Sequence, residues 1–198
     1  MRLKKLLLYF KQSSLFFLYS IVPFSFFYLK YSNLTNSYYL YIKNSELLFF
    51  SIFLKKFQNT QISSLSDITV IDNYNFKKRF KLVYNFLSNI FGTRVFLTYF
   101  LTETKPVATS LISLFPGSNW IEREAWDMFG IFFLQHNDLR RILTDYGFKG
   151  FPFRKDFPLT GYIELRFDDF KQDIVYEPVE LSQELRFFNF SSSWEKNF

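Results

Sequence analysis

SLSDITVIDNYNFKKRFKLVYNFLSNIFGTRVFLTYFL, residues 64–101, is the stretch that decides the fold. Three runs rich in β-branched and aromatic residues, 64–72, 79–87 and 93–101, are set apart by Asp72-Asn73-Tyr74-Asn75 and by Ser88-Asn89 with Gly92. Such side chains fit a pleated, half-buried surface, and clustered Asn, Asp and Gly fit tight turns. The spacing predicts three strands paired antiparallel.

Working outward, SELLFFSIFLKKF (45–57) reads as an amphipathic helix, with Ser45 as N-cap and Lys55–Lys56 in its last turn. On the other side, Pro106 is placed to open a short helix through Leu114, which Pro116-Gly117 then breaks. A further helix, Trp120 to Phe129, stops at Gly130. Residues 45–147 therefore predict an α+β domain in two layers, an antiparallel or mixed sheet covered by helices.

Beyond Gly147 the chain changes character. Pro152, Pro158 and Pro178, with Gly150 and Gly161, punctuate it, and only YIELRFD (162–168) reads as a strand. Aromatics nevertheless recur: Phe151, Phe153, Phe157, Tyr162, Phe170, Tyr176, Phe187, Phe188, Phe190 and Trp194. With no long periodic element, residues 148–198 cannot cover these rings by themselves, so an extended tail packed on a partner is expected. At the other end, residues 1–44 read as an apolar, basic extension. Its 18 uncharged residues from Gln12 to Leu29 have the minimum length of a membrane span. Pro23 and four serines interrupt them, so a docking helix is the expectation. No small-residue cleavage site follows, as a signal peptide would require.

Composition narrows the chemistry. The 198 residues are 48% hydrophobic and 21% charged, a globular balance. Without cysteine, disulfides, thiolate nucleophiles and cysteine-held zinc or iron–sulfur sites are excluded. One histidine, His136, rules out a histidine-rich metal site. The six glycines show no phosphate-loop spacing, which argues against nucleotide or flavin binding through the usual motifs. Phe occurs 30 times while alanine stands only at positions 108 and 125, the usage of an A/T-biased genome. Residues 1–100 carry 13 Lys/Arg against 3 Asp/Glu, whereas residues 101–198 carry 11 against 15. The two halves thus face different surroundings.

Charged residues concentrate in NWIEREAWDMFGIFFLQHNDLRRILTDYGF, residues 119–148. Glu122 and Glu124 are two apart on a helix and diverge, so they cannot act as a carboxylate pair. Arg123 and Asp127, four apart, can pair on one face. Asp138 is a plausible N-cap for a short helix from Leu139 to Asp145, with Gly147 as its left-handed stop. Arg140 and Arg141 would then need acidic partners, in this chain or another. His136, lacking a matched base or ligand set, reads as a structural hydrogen-bonding residue.

EREAWDMFGI (122–131), HNDLRRILTDYGF (136–148) and GFPFRKDFPLTGYIELRFDD (150–169), followed by EPVEL and SSWE, resemble the 30 kDa subunit (subunit 9) family of respiratory complex I. The resemblance runs from about Asp67 to Glu195. Its motif positions are Glu122, Arg123, Glu124, Asp127, Gly130, His136, Asp138, Arg140, Arg141, Asp145, Gly147, Arg154, Asp156, Pro158 and Gly161, as residues of a subunit interface rather than of catalysis. Asn137 stands where the family has proline, and Phe151 where it has a second histidine.

The resemblance implies a peripheral-arm subunit on the matrix side of the mitochondrial inner membrane, beside the quinone-site (49 kDa-type) subunit and iron–sulfur subunits. It implies no cofactor in this chain, FMN and the clusters being held by other subunits. NADH-to-ubiquinone electron transfer with proton pumping would belong to the assembly, and the A/T bias would fit mitochondrial encoding. Alternatives are the equivalent subunit of a bacterial, plastid or hydrogenase-type complex, or a basic RNA- or ribosome-binding protein. Against the last, KKRFK (77–81) gathers its charges at one hairpin end instead of along the strands.

Overall fold

The computed structural model describes residues 27–32, 37–186 and 188. The chain forms two compact units, Met1–Phe157 and Pro158–Phe198.

The first unit is built on the expected meander. β3 (Ser64–Asp72), β4 (Phe80–Ser88) and β5 (Thr93–Leu101) pair antiparallel in sequence. Along β4 the pleat sends Phe80, Leu82, Tyr84, Phe86 and Ser88 into the core while the intervening residues stay half-buried. Two strands not foreseen widen the sheet: β1 (Phe27–Ser32) pairs antiparallel with β2 (Ser37–Ile42), and β2 runs parallel to β5. The order is therefore β1-β2-β5-β4-β3, a mixed sheet. Leu40 and Ile42 of β2 are buried in the core, so the extension expected over residues 1–44 is in part sheet. The docking helix falls mostly in residues 1–26, outside the described residues; its last residues, Phe27 to Leu29, are strand.

Helix α1 (Leu47–Lys56) buries Leu47, Phe50, Ser51 and Leu54, a stripe at helical spacing. Ser45 does not cap it. A 3-10 turn, Asn44–Glu46, leads in, and the Asn44 amide instead donates to the Val107 carbonyl at 2.8 Å. Helix α2 (Ser118–Phe129) ends as expected at Gly130, whose φ of 75° is left-handed. A Cβ there would also lie 2.6 Å from the Phe151 ring, so both backbone and space require glycine.

The helix expected after Pro106 is absent. Val107–Thr109 is strand β6, running parallel to β7 (Phe132–Leu134). The Pro106 carbonyl accepts the Phe132 N–H and the Leu134 carbonyl accepts the Ser110 N–H, both at 2.9 Å, so the ladder claims the segment before a helix can. Residues 111–114 form only a turn. Among the described residues, no helix is long and apolar enough to cross a membrane.

The second unit is a hairpin. β8 (Ile163–Asp168) occupies the expected strand, and β9 (Asp173–Pro178), not foreseen, returns antiparallel to it. The boundary between the units falls at Phe157 instead of Gly147. Aromatic contacts with α2 explain the shift, since Phe151 meets Trp126 and Phe153 meets Phe129, with centroids 6.0 and 5.6 Å apart.

Candidate functional site: buried charges of the first unit

Three carboxylates and two arginines are buried within the first unit, each in its own setting. Arg79 is only 2% exposed although it belongs to the KKRFK run. Its Nε and Nη2 donate to the two oxygens of Asp72 at 2.8 and 2.9 Å, a bidentate pair. The same guanidinium reaches Asp156 at 2.6 Å and Glu103 at 2.7 Å, and lies over the Tyr74 and Phe80 rings. Burial pushes the Asp72 carboxyl up, but hydrogen bonds from Arg79 and from the Lys155 N–H outweigh it and hold it below its ordinary range. For Asp156 the Arg79 hydrogen bond is the largest influence, and its pKa also lies low. Bonds to Asp72 and Asp156 push Arg79 up, so it stays charged at any practical pH. One cation thus ties the β3–β4 hairpin to residues 155–156. Nearby, Arg154 donates to the Phe129 carbonyl at 2.7 Å and stacks on Phe151, with burial and then Arg79 lowering its pKa.

Asp127, fully buried on α2, organises the loop after β7. Its carboxylate accepts the backbone N–H groups of Ile142, Leu143 and Thr144, the Thr144 hydroxyl, and Arg141 Nη1 at 3.1 Å. Burial raises its pKa, but the Thr144 hydroxyl and these N–H groups together outweigh burial, and the net shift is downward. That capture explains why no helix forms over Leu139–Asp145, where one was expected: a tertiary carboxylate gathers successive N–H groups into a turn. Asp138 is no N-cap; it pairs with exposed Arg140 at 3.0 Å, and Gly147 is left-handed without a helix to stop. Nor do Arg123 and Asp127 pair. Arg123 Nε donates to the Arg140 carbonyl at 3.0 Å, and its guanidinium lies over Trp120.

Glu122, also fully buried, accepts the Leu111 N–H at 2.8 Å and the Ser110 hydroxyl. Burial raises its pKa against these bonds. His136 stands beside it, while Glu124 is exposed and takes no part. Asp145 accepts the Tyr146 N–H at the surface. Pro158 and Gly161 lie in the second unit, where the Pro158 carbonyl accepts the Gly161 N–H.

The motif residues therefore sort into clusters, with Asp127–Arg141 in one and Asp156 and Arg154 in another. Arg79, Asp72 and Glu103 were missed, since Arg79 and Lys81 both flank the buried Phe80 and nothing in KKRFK singles out the arginine. The Ser110 and Thr144 hydroxyls do meet carboxylates, Glu122 and Asp127, but both carboxylates are fully buried. The chemistry they support is fastening of chain segments. Nor do they suit a metal or cluster: the sequence has no thiolate, and among the described residues no group of three or more metal-ligating side chains comes together.

Comparison with known proteins gives a consistent result. Residues 40–163 match the family model described as respiratory-chain NADH dehydrogenase, 30 Kd subunit. The NADH-ubiquinone oxidoreductase subunit 9 of Acanthamoeba castellanii is 51% identical over 164 residues, 83% of each chain. The protein named NADH dehydrogenase [ubiquinone] iron-sulfur protein 3 of Arabidopsis thaliana is 48% identical over 154 residues, covering 77% of this chain and 80% of that one. Among solved structures, a trypsin-resistant fragment of Nqo5 superposes with a TM-score of 0.50 at 22% identity, covering 70% of this chain and all of the fragment. A chain of an archaeal membrane-bound sulfane sulfur reductase superposes with a TM-score of 0.60 at 17% identity, covering 80% and 87%. These two likenesses concern the fold.

Proposed function

The chain belongs to the respiratory-chain NADH dehydrogenase 30 kDa subunit family, and we propose that its work within complex I is architectural. It holds neighbouring subunits in place while NADH-to-ubiquinone electron transfer and proton pumping run through cofactors held elsewhere. On this reading it works in mitochondria, in the peripheral arm on the matrix side of the inner membrane. The quinone-site (49 kDa-type) subunit is its principal neighbour, with iron–sulfur subunits adjoining.

The hairpin carries this reading. Ile163, Leu165 and Phe167 on β8 and Ile174 and Tyr176 on β9 share one face, with Leu165 opposite Tyr176 and Phe167 opposite Ile174. All five are 52–62% exposed. The other face is polar, and there Arg166 grips Glu177 with bonds of 2.8 and 2.7 Å. A two-stranded hairpin with one bare apolar face is marginal in water and gains stability from whatever covers that face. Residues 158–186 carry seven carboxylates against three cations, so the complementary surface is apolar with a basic rim.

Deleting residues 174–198 removes β9 and the last carboxylates. Expected on native gels is a soluble, folded chain whose incorporation into the complex falls at least about tenfold, the loss of ~1.4 kcal/mol or more of docking energy. Incorporation equal to that of the full chain would overturn the docking role. The word "iron-sulfur" in the plant relative's name finds no thiolate here to act on. The purified subunit is expected to show no visible absorbance and to retain neither flavin nor NADH; a cofactor held at near-equal stoichiometry would refute that.

A further inference from the structure

His136 and Glu122 meet in the core of the first unit, and both side chains are wholly buried. The imidazole Nδ1 accepts the Asp138 backbone N–H at 3.1 Å. In the neutral ring that leaves the proton on Nε2, which must act as a donor. Nε2 faces Glu122 Oε2 but stops 4.0 Å short, beyond hydrogen-bonding distance. It has no other partner. Close by, the Ser118 hydroxyl of the same helix is buried too; it lies near enough to the carboxylate to influence it, yet makes no hydrogen bond of normal geometry. Glu122 Oε1 accepts the Leu111 N–H, and Oε2 already accepts the Ser110 hydroxyl, which leaves that oxygen a second lone pair. The Tyr84 and Tyr99 hydroxyls, also buried, share one hydrogen bond at 3.0 Å.

A buried donor and a buried hydroxyl thus stand, without partners, beside a carboxylate oxygen that has one lone pair to spare. Leaving such groups unmade costs more than a typical hydrogen bond contributes, and ordered water is the usual remedy. We propose that one water molecule occupies this place, accepting from His136 Nε2–H, donating to Glu122 Oε2, and taking Ser118 Oγ as its third partner. An oxygen ~2.8 Å from two atoms this far apart subtends roughly 90° between them, within reach of water's tetrahedral directions. A metal cation is disfavoured, because Nε2–H would point its proton at it. The bound water completes the fastening of the loop to α2, above the contacts that Arg123 and Asp127 make with residues 140–144.

A density map of the assembled complex, fine enough to resolve waters, tests this directly. Expected is a discrete peak at hydrogen-bonding distance from both His136 Nε2 and Glu122 Oε2. An imidazole bonded straight to the carboxylate, with no density between them, would overturn the proposal. Because His136 is the only histidine, its ring nitrogens in the full chain can be followed by NMR without ambiguity. The Nε2–H tautomer is expected, with its proton in contact with a long-lived water; the Nδ1–H tautomer would also overturn it. In Ser118→Ala the water loses one of three bonds, and exchange of the Nε2 proton should quicken about tenfold. Unchanged exchange would remove Ser118 from the site and contradict the proposal as stated.

Discussion

The two units distribute polarity in opposite ways. In the first, charged groups such as Arg79, Asp72, Glu122 and Asp127 are buried and held within the chain, and the strands hide their apolar phase. In the second, the ion pair Arg166–Glu177 is at the surface and the apolar phase is bare. Burying a charge is tolerable only when geometry and hydrogen bonds compensate it, so the first unit must complete its own contacts before it folds. Nothing in the second unit compels such closure. The first unit is specified by its own sequence, and the second, on the function proposed above, is finished by a partner.

Removing Arg79 should break this contrast most severely. In Arg79→Ala, Asp72 stays buried with its cation gone, and Asp156 and Glu103 lose their common partner. Breaking a buried pair from one side costs about 3–5 kcal/mol, a large share of the roughly 5–15 kcal/mol that holds a domain folded. Urea unfolding of the full chain would show it; a loss under about 1 kcal/mol would mean the network is not structural. The same ions govern acid stability. Asp72 and Asp156 have depressed folded pKa values, so their contribution is complete above the ordinary carboxyl range and is lost as pH falls through those lowered values. The variant's stability should therefore fall less steeply than the wild type's below about pH 4.

Arg141→Ala is a milder blow. Asp127 keeps Thr144 and three backbone N–H groups, so its charge remains solvated by the fold, but the Gly150 carbonyl and one carboxylate lone pair lose a donor. About 1–2 kcal/mol is expected. Assembled complex should decline while turnover per assembled complex holds steady. Normal assembly with lost quinone reduction would show that the arginine serves chemistry after all.

Glu122→Gln should act more weakly still, and with the opposite sign. Because burial raises the folded pKa, ionising Glu122 opposes folding; that penalty is present at neutral pH and disappears as pH falls toward the unfolded carboxyl value near 4.5. The glutamine variant should be at least as stable as wild type at pH 7, with the difference closing toward pH 4.5. A gap that widens on acidification would reverse this account.

How far the sequence revealed all this depended on the range over which each feature is encoded. The strands from Ser64 to Leu101 and the stop at Gly130 rest on local chemistry, β-branched runs and one left-handed residue, and they were legible to within a residue. FYLKYS and SYYLYI were not, since aromatics saturate the chain and blur any period there. β9 was hidden because Asp173 and Pro178 bound it like a loop. Contacts were the least legible. Asp127 binds residues 14 to 17 positions on, and Arg79 reaches Asp156 across 77, so neither partner can be read from spacing on one helix. Motif resemblance marked Asp127, Arg141 and Asp156 as important without saying to what.

The smallest effect on folding should come from the hairpin, and it bears most directly on the contrast. Leu165 and Tyr176 face each other across β8 and β9 and are 52% and 62% exposed, so replacing both with serine removes apolar surface that water already reaches. Exposed substitutions of this kind usually change stability by no more than about 0.5 kcal/mol, and serine at a strand position keeps the backbone pairing available. The urea midpoint of Leu165→Ser/Tyr176→Ser should match the wild type within that margin. Docking is another matter: covering two such side chains contributes on the order of 2 kcal/mol each, so incorporation into the complex should fall by more than tenfold. A variant that unfolds early would show that the hairpin is already part of a closed core. A variant that folds and assembles normally would show that some other face of the second unit meets the partner.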